Sequence, residues 1–200
     1  MHEQNTLSTK QRLLSSGAHL ICEKGYSGVS VREICTHAGT SMNMIHHYFG
    51  NKEGLLNAIT ETYGENVFVL PLKFLAKEPK SKTDFISRVE LVFETTLEAC
   101  IENRLVLMIT IREQQSPQAL IAYMAGFKTF IDIGIEKGFA RKELDSQMIT
   151  GFILDRIVNQ VQFAPWVRNE FGTDILNDKG YLKRWCKSNV DVFINGITSS

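Results

Sequence analysis

SVREICTHAGTSMNMIHHYF, residues 30–49, reads as two short helices joined by a tight turn. Ser30 stands three residues before Glu33, so its hydroxyl can accept from the Glu33 backbone N–H while the Glu33 carboxylate reaches back to the Ser30 N–H. A helix therefore begins just after Ser30. Val31, Ile34, Cys35 and Ala38 fall at helical spacing on one apolar face, and Gly39 supplies the left-handed backbone that ends a helix without a Cβ clash. Thr40 or Ser41 can cap the second helix, which turns Ile45 and Phe49 inward and Met42, Asn43 and His46 outward. Two helices so related have the shape of a DNA reader, with the outward residues of the second facing base edges.

The flanking sequence supports this arrangement. Ser8 and Gln11 form a capping box for a helix running to about Lys24, buried along Leu14, Ala18, Ile21 and Cys22 and closed by Gly25. After the two-helix unit, Asn51 is a natural N-cap, and Lys52 stands where it can approach a phosphate. Leu55, Leu56, Ile59 and Tyr63 form the apolar face of this fourth helix, which is expected to end before Pro71.

From Leu13 through Leu56 the chain resembles the DNA-binding domain of the tetracycline-repressor (TetR) family. Gly25, Tyr26, Ser30-Val31-Arg32-Glu33-Ile34, Ala38-Gly39, Ser41, Tyr48-Phe49 and Lys52-Glu53-Gly54-Leu55-Leu56 occur in the order that carries the resemblance. It implies DNA contacts by Ser30, Arg32, Thr40, Ser41, Met42, Asn43, Met44, His46, His47 and Lys52. Asn43 can bond a base edge or a phosphate, and Met42 or Met44 can meet a thymine methyl. The sequence departs from the family pattern at His46, where a tyrosine is common, and at Met42, where a cation is frequent. The resemblance further implies a ligand-released repressor that binds a palindromic double-stranded DNA operator as a homodimer. Its dimer would form through Asp145–Phe163 and Tyr181–Ile197, and an unknown small-molecule effector would bind the C-terminal part.

The rest of the chain is helical in pattern, giving an all-α fold of about nine helices. No segment alternates with period two over a useful length, and no glycine-rich phosphate loop is present. Asp84 is a candidate cap for a helix to about Ile101, Asn103 interrupts it, and Ser116-Pro117 restarts a helix that stops at Gly138. Asp145 caps the next, with Pro165 marking its expected end, and a long connection from Trp166 to Lys179 leads to the last. The expected division is a DNA-binding domain over residues 1–66 and a ligand-binding and dimerisation domain over 67–200. Phe93, Met108, Phe127 and Phe152 are candidate pocket walls. Arg112 and Arg156 sit among apolar residues, so each either reaches an acidic neighbour such as Glu113 or Asp155 or awaits an anionic ligand.

Composition narrows the function classes. The 44% hydrophobic content and four prolines suit packed cores, and no apolar run approaches the roughly 18 to 20 residues that span a bilayer. A cytoplasmic protein without a cofactor is expected. All five histidines (His2, His19, His37, His46 and His47) precede residue 48, but no histidine or cysteine spacing matches a zinc site. No nucleophile and base occur in a recognisable frame, so an enzyme is not expected. Residues 1–64 carry Lys10, Arg12, Lys24, Arg32 and Lys52 against Glu3, Glu23, Glu33, Glu53 and Glu61, so they are electrically neutral. A grip on DNA would then rest on backbone N–H groups, hydroxyls and a few placed cations. The same neutrality leaves open a helical small-molecule-binding protein or interaction module that has lost DNA binding.

Overall fold

α1 (Thr9–Lys24) opens with the full Ser8 capping box in the computed structural model, which describes residues 7–198; His2 lies outside them. Ser8 Oγ accepts from the Gln11 N–H at 3.3 Å, and Gln11 Oε1 accepts from the Ser8 N–H at 2.9 Å. α2 (Val31–His37) realises only half of its box. Ser30 Oγ accepts from the Glu33 N–H at 3.1 Å, but the Glu33 carboxylate turns away to Lys24 Nζ at 2.5 Å. A charge-assisted bond outcompetes one to a neutral N–H. Ser30→Ala is expected to lower stability by about 1 kcal/mol, the usual worth of an N-cap hydroxyl, read as an earlier urea midpoint with an unchanged slope.

α3 (Asn43–Phe49) starts differently from the expected Thr40 or Ser41 cap. Its N-cap is Met42, which makes no side-chain cap bond. The turn spends those residues otherwise: Gly39, at φ +62°, lets the Thr40 N–H return to the Cys35 carbonyl at 2.9 Å, and the Met44 N–H bonds the Ser41 carbonyl at 3.1 Å. Asn51 Oδ1 does cap α4 (Lys52–Leu75), accepting from the Gly54 N–H at 2.8 Å.

α5 (Lys82–Glu102), α6 (Arg104–Arg112), α7 (Gln118–Glu136), α8 (Ser146–Phe171) and α9 (Lys179–Ile197) complete nine helices among the described residues. The only strand-like pairing there is an isolated bridge between Ala140 and Thr198. Asp84 is not the cap of α5; Ser81 Oγ accepts from the Asp84 N–H at 3.1 Å, and the Asp84 carboxylate holds Arg88. Neither internal proline ends its helix. α4 continues four residues beyond Pro71 and α8 six beyond Pro165, so Trp166–Phe171 is helix rather than connection. An interior proline costs about 3 kcal/mol. Buried Val67, Phe68 and Leu75 flank Pro71, and Val161, Ala164 and Val167 flank Pro165. At about 1.5–3 kcal/mol for each large apolar side chain buried, continuing the helix wins.

The chain forms two compact units. One takes the chain up to Glu65 together with Asn103–Gln118; the other takes Asn66–Glu102 and the chain from Ala119 onward. The second part is therefore not the continuous 67–200 expected from sequence, because α6 belongs with the N-terminal helices. Its Ile109, fully buried, completes a core built on Leu13, Ile21, Ile34, Ile45 and Leu55. The second unit has an aromatic core of Phe85, Phe93, Tyr123, Phe127 and Phe130, with the Phe85 and Phe130 rings stacked 5.3 Å apart.

Candidate nucleic-acid interface

A helix of seven residues has little stability of its own, so α3 must be held by what it buries. It buries one side chain, Ile45, with Met44 and Phe49 half-buried against the same core. The opposite face is open: Met42 is 52% exposed, and Asn43, His46 and His47 are exposed with it. Tyr48, at 40% exposure, joins them, its ring 4.8 Å edge-on from that of His47. The helical phase around Ile45 was the signal that could have added Tyr48 to the candidates. That phase also turns Met44 toward the core, away from the expected thymine-contacting face.

The other candidates divide by whether their polar groups are already engaged. Arg32 and Ser41 are exposed, and Thr40 is half-buried. Ser30 is exposed but its hydroxyl already caps α2. His46 Nδ1 lies 2.8 Å from the Gly50 carbonyl, an acceptor, so the proton sits on Nδ1 and Nε2 is left to meet a ligand. Lys52 is not free to approach a phosphate as expected. Its Nζ donates to the Tyr26 carbonyl at 2.5 Å and lies 4.2 Å over the Tyr26 ring. Beside α2, the Lys24 ammonium holds the Glu33 carboxyl below its usual range, and Glu33 raises Lys24 in return.

Behind the reader, α6 is hooked onto the end of α1. Arg112 donates to the Cys22 carbonyl at 3.0 Å and to the Ile21 carbonyl, placing a cation at the negative end of that helix. Its Nε bonds Glu113 at 3.0 Å, and Glu113 accepts from the Tyr26 N–H at 3.1 Å. A seven-residue helix anchored by one aliphatic side chain, with its outer face open and its supporting helix capped, is a helix-turn-helix head.

Residues 13–59 match the family model described as bacterial regulatory proteins, tetR family. That segment is a TetR-type DNA-binding segment. A probable HTH-type transcriptional regulator of Bacillus subtilis, YttP, is 25% identical over 175 residues, 85% of this chain and 83% of that one. The solved ketosteroid transcriptional regulator KstR2 of Mycobacterium tuberculosis superposes with a TM-score of 0.70 at 20% identity, covering 96% of each chain. The regulator FadR of Bacillus subtilis, solved in complex with stearoyl-CoA, superposes at 0.69 and 20% identity over 94% of this chain and 98% of that one. At such identities the superpositions show the shared fold.

The candidate pocket residues fall in both units. Met108 and Arg112 lie on α6, in the unit that carries the reader. Arg112 is satisfied there by carbonyls and by Glu113, so it awaits no anion. Phe93 and Phe127 are buried core residues, at 1% and 0% exposure. Phe152 is 46% exposed and stacks on Phe193 at 5.8 Å. Arg156 is exposed, reaches Asn189 Oδ1 at 2.6 Å rather than Asp155, and lies 5.5 Å over the Trp185 ring. A guanidinium spread over an aromatic face needs no buried counter-ion.

Proposed function

We propose that this chain is a homodimeric transcriptional repressor of the TetR family that reads a palindromic operator with α3 and leaves it when a small molecule binds the second unit. The observation that carries this reading is the open α3 face, Met42, Asn43, His46 and His47, held outward by buried Ile45 inside a family-matched segment. Asn43 is the side chain best suited to a base edge, and exposed Arg32 to a phosphate. Relatives named as transcriptional regulators, one solved with stearoyl-CoA, support regulation by a small-molecule effector.

The test uses fragments from around the protein's own coding region, in low and moderate salt. Selective binding is expected, with Asn43→Ala losing about 1–3 kcal/mol of discrimination at one position and Arg32→Ala weakening all sequences alike. The neutral head predicts a shallow dependence of affinity on salt. Absence of selective binding at either salt would leave α3 as scaffold and sink the repressor reading.

The dimer surface we assign lies on α8 and α9. Met148, Phe152, Phe163 and Trp166 recur along α8 at 64%, 46%, 52% and 55% exposure, and Val192 on α9 is 66% exposed. Large apolar side chains exposed at helical spacing mark an interface. This extends the expected Asp145–Phe163 and Tyr181–Ile197 surfaces to the whole of α8, with Asp145 outside as its cap. Two readers must meet half-sites about 34–36 Å apart or a multiple of that, so loss of the dimer removes most operator affinity. Trp166→Glu is expected to give a folded monomer by sedimentation with strongly reduced operator binding. A dimer of parental affinity would place the interface elsewhere.

A further inference from the structure

α5 and α9 leave between them, within the second unit, a groove of about 600 Å³. Its floor is apolar, with Leu97 and Ile194 buried to 1% and 9% exposure. Its walls carry opposite charges. Glu90, Glu94 and Glu98 follow one another every fourth residue along α5, and Lys179, Lys183 and Lys187 do the same along α9. Like charges at that spacing face one another on a helix and destabilise it by about 0.2–0.5 kcal/mol a pair. Each row is therefore a cost unless opposite charge is brought to it. Among the described residues no ion pair within 4 Å joins the two rows. Asp191 adds a carboxylate to the same groove and is held by Asn195 at 3.2 Å.

The groove's volume falls in the range of small-molecule sites, roughly 300–1,000 Å³, which pair an apolar surface with a few placed polar groups. We propose that it binds a small zwitterionic amphiphile, its cationic group on the glutamate row, its anionic group on the lysine row and its apolar body over Leu97 and Ile194. Such a ligand satisfies both rows at once, whereas a singly charged one neutralises one row and leaves the other as it was. The site lies off the outward stripe of α8; it rests on the repressor reading and gives its second-unit ligand a chemical class, and because occupancy is measured without DNA it can fail while that reading stands. A built-in reporter sits in the groove. The Cys186 thiol is half-buried, and burial, with Glu94 and Glu98 nearby, pushes it up to about 11, so it stays protonated at neutral pH and alkylates slowly.

The experiment titrates the full chain by calorimetry with three ten-carbon probes below their micelle concentrations: decyl sulfobetaine, decyltrimethylammonium and decyl sulfate. The sulfobetaine is expected to bind at least about tenfold tighter than either singly charged probe, a difference of about 1.4 kcal/mol. Glu94→Gln with Glu98→Gln should weaken the sulfobetaine and the ammonium, and Lys183→Gln with Lys187→Gln the sulfobetaine and the sulfate. All four side chains are exposed, so both double variants should melt as the parent does. In the parent, sulfobetaine should slow Cys186 alkylation at pH 9, followed by peptide mass. Three results would each overturn the proposal: a singly charged probe binding as tightly as the zwitterion, undiminished binding in both double variants, or no effect of the zwitterion on Cys186.

Discussion

Ile45→Ala is expected to release the reader helix and to remove most operator binding while the second unit stays folded. Ile45 is fully buried and is the only buried residue among the seven of α3. Truncating a core isoleucine to alanine costs about 2–5 kcal/mol, through lost transfer energy and the cavity left behind. Little else on α3 can absorb that loss: Met44 and Phe49 are only half-buried, its N-cap lacks a side-chain bond, and an isolated seven-residue helix does not persist in water. DNA affinity should fall by more than about a hundredfold, with hydrogen exchange accelerated over 43–49 and unchanged in α8 and α9. Ile45→Val, at about 0.5–1.5 kcal/mol, should keep most of the affinity. An alanine variant that binds DNA like the parent would show that α3 is held by something other than its core side chain.

Gly134→Leu should unfold the second unit. A Cβ built at Gly134 would stand 2.4 Å from Phe85 Cε2, well inside van der Waals contact. The Phe85 ring cannot retreat, since it is fully buried and stacked 5.3 Å from Phe130, with Phe139 at 6.4 Å. Overpacking of this kind costs about 1–3 kcal/mol for small additions, and leucine adds three further carbons along the same direction. Alanine already carries the clashing Cβ and recovers only about 1 kcal/mol of helix propensity, so Gly134→Ala should itself be destabilising and Gly134→Leu severely so. Thermal melting of the two variants beside the parent measures the gradation. A leucine variant melting within a degree of the parent would mean that Phe85 has room that this packing does not give it.

The features legible in the sequence are those closed within a few residues. The Ser8 box, the Ser30, Asn51 and Asp145 caps and the Gly39 turn each depend on partners no more than five residues away. The inward phase of Ile45 follows from helical spacing alone. The same local rules went astray where distant packing outweighed them. Pro71 and Pro165 look like helix ends, and the buried residues flanking each keep the helix going. Glu33 has a neutral N–H three residues back, yet it takes the ammonium of Lys24, nine residues away, because charge strengthens that bond.

Sequence by itself determined an all-α fold, a two-helix reader within residues 30–49 and the outward face of its second helix. Tertiary structure alone decided which long side chains are spoken for. Arg112 ends on carbonyls 90 and 91 residues earlier, Arg156 on an asparagine 33 residues later, and Lys52 on a carbonyl 26 residues back. It also decided that α6 completes the core of the head, and that a glutamate row and a lysine row far apart in the chain line one groove. The reason is physical. Caps and turns are set by backbone geometry over one helical turn, whereas a long cation is committed by whichever acceptors folding brings within reach, and no local pattern encodes them.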